Sequence, residues 1–166
     1  GTERDFQRST AAHSTLQIEA LEQGEPFGSF RMGRRPHVAG RRMDARTVSG
    51  EHDGFGRAGV HRRRLEWEGP RGFSWVDRVD GTAGRPVAVR LGLAPGALAA
   101  VEAERAVIEI SGDERLCLTA PAGGVLRVET GVYCERFGSS TRRSVVVWRG
   151  VADASRDLRF RLARLV

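Results

Sequence analysis

Several residue types are missing or scarce in this chain, and each shortage narrows what the protein can be. Its 166 residues include no lysine, no asparagine, only two cysteines and 7% aromatic residues. No segment approaches the roughly 20 consecutive apolar residues that a membrane helix needs, so we expect no membrane span. The first residues do not resemble a signal peptide. Because the chain starts at Gly1 instead of a methionine, we expect it to be processed or cut from a longer protein, and the compartment stays open.

The short motifs of the common enzyme classes are also missing. The sequence has no glycine-rich phosphate loop between a strand and a helix, no Cys-x-x-Cys pair and no Gly-x-Ser-x-Gly elbow. The spacing of Cys117 and Cys134 does not indicate a metal clip. The two cysteines could form a disulfide or remain thiols, and we favour their interpretation as small buried apolar residues.

What is present in excess is arginine, which supplies all 27 fixed cations against 21 carboxylates, for a net charge of +6. Guanidinium groups bind carboxylate, sulfate and phosphate oxygens in pairs, so the excess indicates an anionic partner, although a compositional bias explains the same number. The clusters are Arg31, Arg34 and Arg35; Arg41 and Arg42; Arg62 to Arg64; and Arg142 and Arg143. Few aromatic residues are interleaved with them to stack on bases, so we favour an acidic polysaccharide and expect no nucleic-acid partner.

Alternating apolar residues predict an all-β fold. The alternation recurs at Leu16, Ile18 and Ala20; at Val87, Val89, Leu91 and Leu93; at Leu116 and Leu118; and at Leu158, Phe160 and Leu162. Turn signals separate these segments at Asp80-Gly81, Ser111 to Asp113, Gly123-Gly124 and Gly138 to Ser140. We therefore predict one domain over residues 1–166, an antiparallel multi-stranded β-sandwich. The best helical candidate, Ala97 to Ala106, is short enough to be a single turn or a loop.

Any chemistry based on imidazole must use His13, His37, His52 or His61. The pattern places His13 at the start of the first strand, beside small residues, where a capping or solvent-exposed histidine is the ordinary interpretation. His52 and Asp53 lie in Gly50 to Gly59, the predicted long loop, and form only a weak metal signal. On the strand that follows, alternation directs His61 and Arg63 to one face and Arg62 and Arg64 to the other, so at least one arginine must be buried or paired.

Three blocks of residues resemble the heparinase II/III-like C-terminal domain, a family related to several alginate lyases. The first comprises residues 8–16, with the run Ala-Ala-His-Ser-Thr at 11–15, followed by Gln23 and by residues 27–35. The second comprises residues 52–63, with His-Asp-Gly-Phe at its start and His-Arg-Arg at its end. The third comprises Gly131-Val132-Tyr133 and Arg136-Phe137-Gly138. The blocks span about four-fifths of the chain in the order expected of the family.

The resemblance implies an enzyme in which an N-terminal (α/α) toroid, absent from this chain, forms a substrate cleft with the β-sandwich. Such lyases cleave uronic-acid-containing polysaccharides, of glycosaminoglycan or alginate type, by β-elimination. The uronate carboxylate is neutralised, a base removes the adjacent proton and an acid protonates the departing glycosidic oxygen. The family suggests a periplasmic or cell-envelope location, and no cofactor is required.

The resemblance also assigns residues. His13 corresponds to the catalytic histidine that reaches the cleft, while the toroid would supply the asparagine, the second histidine and the tyrosine. Arg34, Arg35, Arg62 and Arg63 are candidates for substrate binding, and Tyr133 is interpreted as packing. Thr15 stands where some relatives have a second metal-binding histidine, so a zinc site of that kind is not expected.

Two further expectations stay open. Gln23, His52 and Asp53 are candidate ligands for a structural divalent cation. The alternative to a lyase domain is a non-catalytic β-sandwich module that binds acidic glycans. In either case the isolated chain is expected to bind weakly and to turn over nothing.

Overall fold

The structure, a computed structural model, describes residues 2–28, 30–81, 84–136, 138–153 and 156–165. Ser29 and Phe137, which belong to the first and third motif blocks, lie outside these ranges, as does Gly1. The helical segments are α1 (Thr2–Gln7) and three short 3-10 turns at Thr10–Ala12, Gly56–Ala58 and Gly69–Arg71. The strands are β1 (Leu16–Ile18), β2 (Pro26–Phe27), β3 (Arg31–Met32), β4 (Val38–Met43), β5 (Thr47–His52), β6 (Val60–Trp67), β7 (Gly72–Asp80), β8 (Arg85–Gly92), β9 (Leu98–Glu102), β10 (Arg105–Ser111), β11 (Glu114–Thr119), β12 (Val125–Tyr133), β13 (Thr141–Ala152) and β14 (Leu158–Arg164).

These strands form two packed antiparallel sheets and a small hairpin. The smaller sheet has the order β1-β8-β13-β12, and the larger has the order β4-β5-β6-β7-β14-β11-β10-β9. Strands β2 and β3 pair separately as the hairpin. The predicted all-β sandwich is confirmed.

The core lies between the sheets and follows the alternation of the sequence. Leu158, Phe160 and Leu162 of β14 are buried, whereas Arg159 and Arg161 between them are exposed. Phe160 stacks on Trp75 of β7, with ring centroids 4.9 Å apart. It also meets Trp148 of β13 edge-on at 5.7 Å, so aromatic contacts join the two sheets.

The larger sheet extends beyond the smaller one at its β4–β5–β6 end, which we call the wing. Val48 pairs with Leu65, and Leu65 pairs with Trp75, so all three side chains share the inner face. Trp75 is buried, but Leu65 is 37% exposed and Val48 is 48% exposed. The inner face of the wing is therefore not fully covered by the smaller sheet, and part of its apolar surface is exposed to solvent.

Three details differ from the sequence-based expectations. The segment Ala97 to Ala106 is a hairpin of β9 and β10, turning at Ala103 with φ +56°, because cross-strand pairing outweighs the weak helical preference of alanine. The predicted loop Gly50 to Gly59 is shorter than expected, since β5 continues to His52. Ala20 is exposed and lies outside β1.

Two further expectations, on the state of the cysteines and on a membrane span, can be compared with the described part of the chain. Cys117 is buried and Cys134 is half-buried, and both are free thiols. The Sγ of Cys134 accepts a hydrogen bond from Gln7 Nε2 at 2.8 Å. In the ranges that the structure covers, no helix combines the length and apolar character needed to cross a membrane.

Candidate functional site

His13 lies on an exposed turn, three residues before β1, and not at the start of the strand as expected. The turn follows the 3-10 segment Thr10–Ala12. The His13 N–H donates to the Thr10 carbonyl at 3.2 Å, and its own carbonyl accepts from the Thr15 N–H at 2.9 Å. The His13 side chain is exposed, and no hydrogen bond to its imidazole is found among the described residues. Its ring nitrogens are therefore available to a ligand.

Two arginine side chains and one backbone N–H, from three distant strands, fix the residues on either side of His13. Arg143 Nη2 of β13 donates to the Ala12 carbonyl at 2.9 Å. Arg63 Nη1 of β6 donates to the Ser14 carbonyl at 2.7 Å. The backbone N–H of Gly92, the last residue of β8, donates to the Ser14 Oγ at 3.0 Å. The turn is therefore held by both sheets, which places an exposed imidazole on a rigid backbone.

Gly92 also explains how Arg143 reaches this turn. A Cβ at position 92 would lie 2.6 Å from Arg143 Cζ, so the absence of a side chain makes room for the guanidinium. The same guanidinium lies over the Tyr133 ring, 5.9 Å from its centroid. Arg143 thus connects Tyr133, which is 37% exposed, to the turn that carries His13.

Arg63 is held in turn by Asp77, a fully buried carboxylate on β7. Arg63 Nε donates to Asp77 Oδ1 at 2.7 Å and Arg63 Nη2 donates to Oδ2 at 2.8 Å, which is a bidentate pair. Trp75 Nε1 also donates to Oδ2, at 3.2 Å. Burial alone would raise the pKa of Asp77, but the hydrogen bonds from His61 and Arg63 outweigh it and hold the pKa below its usual value. Asp77 is therefore the ionised anchor of the cluster.

A chain of two histidines reaches Asp77 from the edge of the wing. His61 Nε2 lies 2.7 Å from Asp77 Oδ1, His52 Nε2 lies 3.1 Å from His61 Nδ1, and His52 Nδ1 accepts from the Gly54 N–H at 3.1 Å. Since Gly54 donates to Nδ1 of His52, a neutral His52 carries its proton on Nε2 and donates to His61, which then donates to Asp77. The contacts thus define one direction and one tautomer for each ring.

His52 is neutral in the folded protein at neutral pH. Burial lowers its pKa, as does the neighbouring His61, and the nearby Asp53 only partly opposes them, leaving the pKa at about 4. A cationic His52 would also lose the hydrogen bond from the Gly54 N–H, because its Nδ1 would carry a proton. The hydrogen bond from Gly54 therefore requires a neutral His52 imidazole.

Arg34 and Gln23 connect the loop that follows His52 to the His13 turn. The Arg34 guanidinium donates to the carbonyls of Gly54 and Gln23, and to that of Glu22 at 3.1 Å. The Gln23 amide donates to Thr15 Oγ1 at 3.0 Å and to the Leu16 carbonyl at 3.1 Å. The hydrogen bonds thus form a closed network, which we call the circuit. It runs from Ser14 through Arg63, Asp77, His61 and His52 to Gly54, and from Gly54 through Arg34 and Gln23 back to Thr15.

The structure brings together some of the predicted substrate-binding arginines and separates others. Arg34 and Arg63 belong to the circuit, where their donors are occupied by protein acceptors. Arg35 is exposed and has no hydrogen-bond or ion-pair partner in the described ranges. Arg62 lies on the opposite face of the sheet, paired with Glu51 at 2.7 Å and Asp80 at 2.9 Å, so it is not part of this cluster. The predicted alternation of His61 and Arg63 against Arg62 is confirmed.

The three predicted metal ligands are engaged in other contacts. Both ring nitrogens of His52 are used, the Gln23 amide donates to Thr15 and Leu16, and Asp53 Oδ1 accepts from the His37 N–H at 2.7 Å. In the part of the chain that the structure describes, no three His, Cys, Asp or Glu residues are grouped as a metal site. The donor set Gln23, His52 and Asp53 does not fit a cation without loss of these bonds, and the site stays a prediction.

Sequence reasoning missed Asp77, the centre of the cluster, and the role of Arg143. A signal for Asp77 was present: it lies between Trp75 and Val79 on the inward-facing positions of β7, where a charged residue requires a partner. Its partner could not be identified without the β6–β7 register, which pairs Arg63 with Asp77. No comparable signal marked Arg143.

The chain matches the family described as heparinase II/III-like, C-terminal, over residues 1–161. Solved structures of low sequence identity share its fold. The heparan sulfate lyase HepC from Pedobacter heparinus superimposes with a TM-score of 0.74 at 14% identity, covering 98% of this chain and 25% of that one. The heparinase III BT4657 gene product superimposes with a TM-score of 0.72 at 17% identity, covering 99% of this chain and 25% of that one.

A further crystal structure of heparinase III has a TM-score of 0.70 at 16% identity, with coverage of 99% of this chain. This chain spans about a quarter of the length of the two proteins described above. No curated protein sequence matches it.

Proposed function

The chain belongs to the heparinase II/III-like C-terminal domain family, and on this premise we propose that it is the β-sandwich part of a polysaccharide lyase. The reaction is β-elimination on an acidic polysaccharide that contains uronic acid. His13 is the catalytic residue that this part contributes. Its partner is an N-terminal toroid domain of the same protein, which supplies the other side of the cleft.

The observation that carries this proposal is the contrast between the His13 side chain and its backbone. The imidazole is exposed, whereas Arg63 and Arg143 hold the carbonyls of the residues on either side of it. An exposed side chain of no functional importance does not need two arginines, one anchored on a buried carboxylate, to fix its backbone. The arrangement suits a residue that must meet a substrate in one orientation.

The chemistry assigned to His13 follows from what β-elimination requires. The proton next to a uronate carboxylate becomes acidic only when the carboxylate charge is offset, so a donor aimed at that group lowers the barrier. The free imidazole of His13 either donates a hydrogen bond to the carboxylate or relays a proton near neutral pH. The residues that abstract the proton and protonate the departing oxygen belong to the toroid.

The test is a substitution in the full-length protein. His13→Ala should reduce formation of the unsaturated product by at least about a hundredfold, the lower range for loss of an acid–base group. Product is followed by the ultraviolet absorbance of the new double bond on heparan sulfate, heparin and alginate. His37→Ala, which removes another exposed histidine, is the matched control and should leave turnover and melting temperature near those of the parent.

Two outcomes would count against the proposal. Unchanged turnover of His13→Ala would remove His13 from the reaction. Salt-sensitive glycan binding by the full-length parent, with no product from any of the three polymers, would favour the alternative of a non-catalytic module that binds acidic glycans.

A further inference from the structure

The outer face of the larger sheet, turned away from the core, carries a cross-strand row of arginines. Arg42 of β4 pairs with Ser49, and Ser49 pairs with Arg64 of β6. Arg64 pairs with Val76, and Val76 pairs with Arg159 of β14. Side chains paired in this way lie on one face, so the three arginines occur on every second strand with short residues between them. We call Arg42, Arg64 and Arg159 the arginine row.

The rows on either side have their arginines matched by carboxylates. In one, Arg62 Nε lies 2.7 Å from Glu51, and Arg78 Nε lies 2.8 Å from Asp80. In the other, Arg161 Nε lies 2.8 Å from Glu68. At the far end of this sheet the contacts are longer, with Arg105 4.0 Å from Glu102 and Arg115 3.5 Å from Glu109. Paired arginines are therefore common on this sheet.

The arginine row is different because two of its three guanidinium groups have no carboxylate partner in the described ranges. Arg64 has only a 3.5 Å contact to Glu66, and both side chains are more than half exposed, so solvent weakens the pair. Arg42 and Arg159 are exposed and have no hydrogen-bond or ion-pair partner among the residues described. A compositional excess of arginine explains neither the alignment of the three residues nor the absence of carboxylates between them.

The row lies in a groove of about 450 Å³. Arg42, Arg64 and Arg159 all line it, with Ser49 and Val76 between them. The lining as a whole contains six arginines and three carboxylates, the latter being Glu51, Glu66 and Asp157. Because Ser49 and Val76 are short, the guanidinium groups stand above the floor of the groove. Arg63 also belongs to the lining, but its guanidinium lies on the opposite face of the sheet, where it binds Asp77 and the Ser14 carbonyl. The guanidinium groups of the arginine row and the turn that carries His13 are therefore on opposite faces of the sheet.

The spacing of the row indicates the kind of anion. Adjacent strands lie about 4.8 Å apart, so arginines on every second strand recur at roughly 10 Å and the row spans about 20 Å. A pyranose ring is about as long as the distance between two adjacent strands, about 4.8 Å. Arginines two strands apart would therefore face groups on alternate sugars of an extended chain. The only aromatic residue lining the groove within the described ranges is Trp75, which is buried, so no exposed ring is available to stack on a base.

We propose that the arginine row is a second binding site for acidic polysaccharide, outside the cleft, selecting chains with an anionic group on every second sugar. The choice of a sugar polymer rests on the proposed function, whereas the charge and spacing come from the sheet itself. A chain held here and in the cleft at once is bound at two points, which raises affinity for long chains without a change at His13.

The experiment measures binding of heparin fragments of defined length to the full-length protein carrying His13→Ala, so that the ligand is not cleaved. In this background, Arg42→Gln with Arg159→Gln should weaken binding of long fragments about tenfold and reduce its salt dependence. Arg105→Gln with Arg115→Gln, which removes the same charge from the far end of the same sheet, outside the groove, should leave binding unchanged. Melting temperatures confirm that both double variants are folded. Single-stranded DNA of equal charge should bind less tightly than heparin.

Each outcome separates this inference from the proposed function. Unchanged heparin binding by the Arg42 and Arg159 variant, or equal losses in both double variants, would overturn the second site. Equal affinity for single-stranded DNA would overturn its assignment to polysaccharide. With His13 restored, turnover of short fragments should be the same with and without the arginine row. If the Arg42 and Arg159 variant lost heparin binding while the parent protein showed no turnover, the second site would be retained and the lyase reaction would be rejected.

Discussion

Asp77→Asn is the most informative perturbation of the site cluster, because it removes one charge and preserves the shape of the side chain. Asp77 is completely buried, and its two oxygens accept from four donors on His61, Arg63 and Trp75. An asparagine has one oxygen to offer. Whichever way the amide is oriented, its NH₂ group faces two donors. Arg63 also loses the negatively charged group with which it is paired.

The expected cost follows from the burial of the pair. Removal of one partner from a buried ion pair costs about 3–5 kcal/mol, because the remaining charge is left uncompensated. For a chain of 166 residues, each kcal/mol lowers the melting temperature by about 2–4 °C, so the total decrease should be roughly 6–20 °C. The measurement is thermal and urea unfolding of this chain, followed by circular dichroism and tryptophan fluorescence.

Asp80→Asn is the matched control, since Asp80 lies on the same strand and is also paired with arginine. Its side chain is 30% exposed, and its partners Arg62 and Arg78 are 52% and 44% exposed. An exposed pair of this kind contributes about 1 kcal/mol or less. If Asp77→Asn cost no more than Asp80→Asn, the role of Asp77 as the anchor of the cluster would be refuted.

Two further predictions concern His52 and Gly72. Between pH 6.5 and about 4 the unfolded chain binds a proton that folded His52 does not, so the free energy of unfolding should decrease as the pH falls through this window. Urea midpoints above and below pH 6.5 measure this decrease, and His52→Gln should remove most of it; equal slopes for both proteins would contradict the assignment. Gly72→Ala should cost more than Gly69→Ala in urea unfolding, since both glycines have positive φ but only at Gly72 does a Cβ meet a backbone carbonyl, that of Leu162. Equal costs would contradict that reasoning.

Strands that are buried on one face could be predicted from the sequence. In β14, apolar residues at 158, 160 and 162 alternate with arginines, and the structure buries the former and exposes the latter. The Ala97 to Ala106 segment had no such alternation, and its alanines pack in a hairpin as well as they would in a helix. Its conformation depends on the partner strand β11, which local sequence does not reveal.

The candidate site was predictable only in part, for a related reason. The assignment of His13 came from the resemblance, and its catalytic role stays a prediction. The contacts that hold its turn are made by Arg63, Gly92 and Arg143, which are 49 to 131 residues away in the chain from the residues that they contact. Such contacts depend on the order and register of strands, which no local pattern contains. The same limit explains why the contacts of the Arg34 guanidinium with carbonyls of the protein itself could not be predicted.

The buried circuit also has a consequence for how the wing chooses its strand pairing. A shift by one residue inverts every side chain of a strand, and burial on one face normally prevents it. In the wing this safeguard is weak, because Val48 and Leu65 are partly exposed. A shift of β6 by one residue would place Arg62 or Arg64 opposite Asp77 with the wrong orientation and would turn His61 away from His52. The polar contacts can form in only one alignment of β5, β6 and β7. They therefore specify the strand register in the part of the sandwich where burial of apolar side chains alone would not.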